Sequence, residues 1–126
     1  MNRKIKFRVW DKLMKKYVTE VDDYELYISL DGDVKINEYG DMNTFFNRLI
    51  LEQFTGLYDK NGKEIFEGDV IEVKDNMENA FIKCKVQYES GSFNAIPLED
   101  GDLAYIMFYA SQNGQIIRNI HEDKEE

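Results

Sequence analysis

Between Phe54 and Val73 the chain reads FTGLYDKNGKEIFEGDVIEV, and this run restricts the fold more than any other part of the sequence. Asn61-Gly62 is a hairpin signal. A two-residue type I′ turn needs positive φ at both central positions, and Asn and Gly adopt it at low cost. Ile65 and Phe66 supply apolar bulk after the turn. Glu67-Gly68-Asp69 reads as a second turn, and Val70, Ile71 and Val73 continue as a β-branched strand. A hairpin followed at once by a sharp turn and a Val/Ile strand suits the wall of a small barrel, where Gly lets the chain bend.

The same grammar recurs elsewhere. KIKFRVW alternates, placing Ile5, Phe7 and Val9 on one face and Lys4, Lys6, Arg8 and Trp10 on the other. Strands are expected at 17–18, 24–30, 33–36, 70–74, 81–89, 92–96 and 115–120. Turn signals stand at Asp31-Gly32, Ser90-Gly91 and Asn113-Gly114. Pro97 closes the strand before it, because proline gives no ladder N–H. A short helix over 45–50, capped by Asn43-Thr44, competes with a strand from about Ile50. Residues 103–111 read equally as helix or strand. Within FIKCKVQY, Ile82, Cys84 and Val86 share a face, so Cys84 reads as a buried thiol.

These turns and strands resemble the YopX family of phage and prophage proteins. The resemblance rests on TGLYDKNGKEIFEGDVIEV, on the opening RKIKFRVWDKLMKKYV and on the closing IIRNIHED. The chain departs from the family pattern at Arg118, where Gly is usual, and at His121, where an aromatic is usual. The resemblance implies a mostly-β fold with an SH3-like β-barrel in the C-terminal half, over 50–121. Extra N-terminal strands (1–49) pack on it, one or two short helices are allowed, and 122–126 form a flexible acidic tail. It also implies a phage or prophage origin and no established activity.

Charge is unevenly placed. The net value is −9, yet residues 1–20 hold seven Lys/Arg against two acids (+5), leaving nine bases against twenty-three acids (−14) beyond them. Arg3, Lys6, Arg8, Trp10, Lys15 and Lys16 therefore form a basic-aromatic strip, a candidate contact for nucleic acid or another anion. The alternative is the charged outer face of an ordinary edge strand, paired with acidic residues elsewhere. The acidic body opposes duplex binding at long range and also allows a DNA-mimic role toward a host protein.

Little in the chain suggests catalysis. With one His and one Cys there is no zinc set, and Asp31-Gly32-Asp33 and Glu99-Asp100-Gly101-Asp102 lack the ligand spacing of a calcium loop. No nucleophile elbow, phosphate loop or HExxH occurs. The expectation is a non-enzymatic, cofactor-free bacterial cytoplasmic protein. It would contact a host or phage protein or a copy of itself, with nucleic acid as the second reading and neither a membrane nor a small-molecule substrate as partner. Asn61, Gly62, Gly68, Gly91 and Gly114 are expected to serve turns.

Overall fold

The computed structural model describes residues 4–18, 25–37, 48–77, 79–99 and 103–122. The acidic tail beyond Glu122, Arg3, the loop expected at 38–43 and residues 45–47 of the helix expected over 45–50 lie outside them, while Leu49 and Ile50 of that stretch are strand. The described part is mostly β, with curled antiparallel sheets of barrel-like form and one short helix. The chain divides into two compact units, one of residues 7–52 and one of residues 1–6 with 53–126.

In the larger unit, five strands are ordered β10-β9-β8-β7-β11. These are β7 (Asp69–Asp75), β8 (Ala80–Glu89), β9 (Ser92–Pro97), β10 (Tyr105–Ile106) and β11 (Gly114–Asn119). Alternation decides the faces: Ile71 pairs with Cys84 and Val73 with Ile82, and these side chains point into the core. Ile65, Val86, Ala95, Met107 and Ala110 complete it. Each fully buried Val or Ile contributes about 1.5–3 kcal/mol. Cys84 is wholly buried, as its strand position requires.

The ambiguous stretch resolves into both elements: β10, then α1 (Met107–Asn113), which buries Met107, Ala110 and Ser111. Tyr109 donates its hydroxyl proton to the Lys74 carbonyl at 2.7 Å, and Tyr105 donates to Asp75 at 2.7 Å. These bonds fasten the segment to β7.

The hairpin of β5 (Leu49–Tyr58) and β6 (Glu64–Phe66) corrects one expectation. Asn61 does not adopt positive φ; only Gly62 does, at 85°. The Asp59 carbonyl accepts the Gly62 N–H at 2.9 Å, and Asp59 N–H donates to the Lys63 carbonyl at 2.8 Å. This is a three-residue loop with a left-handed final residue, not a two-residue turn. The reason is Asp59, whose Oδ1 accepts N–H from Asn61 (2.8 Å) and Lys63 (3.0 Å) and so selects the longer loop. Ser29–Asp33 repeats the pattern between β3 (Glu25–Ile28) and β4 (Val34–Asn37). The two-residue turn with both φ positive occurs instead at Ser90-Gly91, joining β8 to β9.

The Glu67-Gly68-Asp69 turn is held by its own side chains. Glu67 Oε1 accepts the Gln53 N–H at 2.7 Å, and Asp69 Oδ2 accepts that of Phe66 at 2.8 Å. Gly68, at φ 87°, donates to the Val86 carbonyl and accepts from Ile120. Gly114 is not a turn glycine. Its φ is −131°, and it is the junction of α1 with β11. A Cβ there would lie 2.6 Å from the Ala110 carbonyl oxygen and 3.2 Å from that of Glu72. Gly is required by close approach, not by backbone conformation.

In the smaller unit β1 (Phe7–Asp11) pairs with β2 (Lys16–Tyr17), Trp10 opposite Tyr17. The expected inward face of the first strand is only partly realised. Val9 is buried, but Ile5 is 58% and Phe7 37% exposed, while Trp10, expected outside, is 9% exposed. The strand begins only at Phe7, and Trp10 is covered by its edge-to-face contact with Tyr17 at 4.9 Å.

Candidate functional site

Each expected contact residue of the basic strip has a definite place, apart from Arg3, which is outside the described residues. Lys6 and its neighbour Lys4 both engage Glu64, at 2.8 and 3.0 Å. Arg8 Nε lies 2.7 Å from Glu52 Oε1, and its guanidinium sits over the Tyr17 ring, 4.5 Å from the centroid. Tyr17 donates its hydroxyl to the same Glu52 oxygen at 2.9 Å. Trp10 packs against Tyr17, so Arg8, Trp10, Tyr17 and Glu52 form one cluster in the smaller unit. Glu52 is 3% exposed. Lys15 occupies a left-handed position (φ 56°) in the turn between β1 and β2, and Lys16 begins β2. Lys6 belongs to the larger unit and Arg8 to the smaller. The strip therefore neutralises internal carboxylates at Lys6 and Arg8, and its tryptophan is part of the packing.

Asp11 anchors the same region. It is fully buried, takes a two-point contact from Arg48 (Nε and Nη2, both 2.7 Å) and accepts N–H from Leu13 and Met14. The Arg48 guanidinium holds the Asp11 carboxyl below its ordinary value of 3.8. Burial raises the Asp59 carboxyl, but N–H donors from Ile116, Lys63 and Asn61 outweigh it and leave it lowered. Because the folded forms bind protons less readily than the unfolded chain, their stabilisation is complete above the unfolded value and is lost as pH falls through the folded one. The melting temperature should be flat from neutrality to about pH 5 and should drop below that. Thermal scans followed by the fluorescence of the single tryptophan, Trp10, check the part due to Asp11; an Asp11→Asn variant should show a shallower fall.

Two surfaces escaped the sequence reading. Leu103, Ile106 and Phe108, next to and within the terminal strand β10, are 88%, 67% and 62% exposed. Hydrophobic runs at 103–111 were ambiguous in element type, so their exposed side was not legible. The second surface is the outer face of β7 and β8, where Lys74 Nζ lies 5.3 Å from the Phe81 ring centroid. That pair exists only through strand register. Among the described residues no three of His, Cys, Asp and Glu come together as metal ligands, and no helix is long and apolar enough to cross a membrane.

Fold and surfaces define a small, mostly-β protein with a curled, barrel-like sheet. The family described as YopX protein matches residues 6–125, and the chain belongs to it. It is similar to protein EF1440 from Enterococcus faecalis, at 24% identity over 95% of each chain with a TM-score of 0.56. It is also similar to YopX from Bacillus subtilis, at 16% identity over 94% of each chain with a TM-score of 0.61. At these identities the likeness concerns the fold. Among curated proteins no match is found.

Proposed function

We propose that this YopX-family chain is a non-enzymatic protein-interaction module, a phage or prophage accessory protein of the bacterial cytoplasm that docks on a host or phage protein or on a second copy of itself. It requires no cofactor. The observation that carries this reading is the exposure of Leu103, Ile106 and Phe108 beside the end strand of the sheet. Three large apolar side chains within six residues present the kind of surface that a protein partner dehydrates, and an end strand offers backbone groups to an added strand. The N-terminal strip supports a nucleic-acid role less well, because Lys6 and Arg8 already hold carboxylates.

Affinity capture of the tagged chain from bacterial lysate, with and without nuclease, tests the reading when paired with an Ile106→Asp/Phe108→Asp variant. The expected result is one discrete protein, or the chain itself, recovered after nuclease and reduced at least tenfold with the variant. Recovery abolished by nuclease, or equal for both forms, would overturn it.

A further inference from the structure

We infer that the outer face of β7 and β8 around Phe81 binds single-stranded nucleic acid. Antiparallel register places Lys74 opposite Phe81, Glu72 opposite Lys83 and Val70 opposite Lys85. Directly opposed residues share a face, so Phe81, Lys83, Lys85 and Lys74 lie on the side opposite Ile71, Val73 and Cys84; that side is covered at its Lys85 end, where Val70 is fully buried, and open at Lys83 and Phe81. Phe81 is 58% exposed. Among the described residues, Lys74, Lys83 and Lys85 take part in no ion pair, whereas Lys4, Lys6, Arg8 and Arg48 each hold a carboxylate. Lys12, Lys15, Lys60 and Lys63 also hold no carboxylate among the described residues, but they lie in turns and loops; Lys74, Lys83 and Lys85 stand together on one sheet face with the Phe81 ring among them.

A groove of about 290 Å³ opens beside them, lined by Phe81, Ile82, Lys83, Leu98 and Glu99. Leu98 N–H donates to the Lys83 carbonyl at 2.9 Å, which carries the β8–β9 contact one residue past Pro97 and positions the far wall. That volume lies at the small end of ligand sites and suits one nucleotide unit. Its chemistry is mixed: an apolar floor, one ammonium and one carboxylate. A base can lie on Phe81 and Leu98 and donate amino N–H to Glu99 while its phosphate meets Lys83. The carboxylate side chains of an acidic peptide bring only acceptors and would face Glu99 and Glu72 with like charge. A duplex hides its base faces and, with its higher charge density, is repelled more strongly than a single strand by the net charge of −9. Lys83 and Lys85, two residues apart and about 7 Å along the strand, continue the phosphate contacts beyond the groove.

This inference does not rest on the protein-docking reading, since it uses another surface and a purified component. Fluorescence anisotropy with a labelled oligodeoxyadenylate should show binding that weakens by up to about twentyfold between about 50 mM and about 200 mM salt, as three lysine–phosphate contacts require. Phe81→Leu should weaken it about tenfold and Phe81→Tyr should preserve it, the signature of stacking. Lys83→Glu should weaken binding about tenfold and reduce the salt dependence, while Lys6→Gln should leave it within about twofold. Phe81 and Lys83 are exposed, so melting temperatures of these variants should match the parent. Absence of binding at about 50 mM salt, equal affinity for Phe81→Leu, or displacement by polyglutamate as effective as by unlabelled strand would overturn the inference.

Discussion

Replacing Arg48 by Met is expected to destabilise residues 7–52 by about 3–5 kcal/mol. Asp11 is fully buried and Arg48 grips both of its oxygens at 2.7 Å, so the variant leaves a carboxylate out of water with only the Leu13 and Met14 amides for support. Trp10, adjacent in β1 and the single tryptophan, reports this unit directly in urea titrations. The companion Asp11→Asn/Arg48→Met variant removes the stranded charge and keeps an oxygen for the two turn amides. It should recover at least half of the loss, because the cost comes from breaking a buried pair and not from lacking one. Equal destabilisation in both variants would show that Arg48 acts through packing alone.

Asp59→Ala is the second large effect, expected at about 3 kcal/mol, or a melting temperature lower by about 10 °C. Asp59 is 5% exposed, and its two oxygens do different things. Oδ1 closes the 59–63 loop, while Oδ2 accepts the Ile116 N–H at 2.9 Å and so ties the β5–β6 hairpin to β11. Lys60 N–H adds a bond to the Gly114 carbonyl at 3.0 Å. Alanine leaves all three amides without their acceptor. Asparagine keeps Oδ1 but turns an NH₂ toward the Ile116 N–H, so two donors meet. Amide hydrogen exchange separates the contributions: Asp59→Asn should retain protection at Asn61 and Lys63 and lose it at Ile116, and Asp59→Ala should lose all three. Protection at Ile116 in Asp59→Ala would refute the tie to β11.

How much of this was legible depends on how local each feature is. Strands at 70–74, 81–89 and 92–96 were readable because alternation and turn residues act over a few positions, and β7, β8 and β9 fall there. The turn at 59–63 was located but mistyped, because an Asp side chain competing for backbone amides outweighed the preference of Asn-Gly. Gly114 was read as a turn because its reason, the Ala110 and Glu72 carbonyls, belongs to packing around a helix whose existence was undecided. The basic strip was read correctly as charge and incompletely as surface. Its partners Glu52 and Glu64 lie 44 and 58 positions from Arg8 and Lys6.

By itself, the sequence determined a mostly-β chain of YopX character, the location of its turns apart from the one expected at Asn113-Gly114, and the inward side of the strand that carries Ile82, Cys84 and Val86. Those properties follow from backbone sterics and period-two alternation, which need no distant partner. Tertiary structure alone decided which charges are neutralised and which remain available. The lysines at 4 and 6 meet Glu64, whereas Lys74 comes to lie over Phe81 and Lys83 beside a groove. The reason is that Coulomb attraction and ring contact act over a few ångströms in space, and strand register, not sequence distance, sets which side chains come that close.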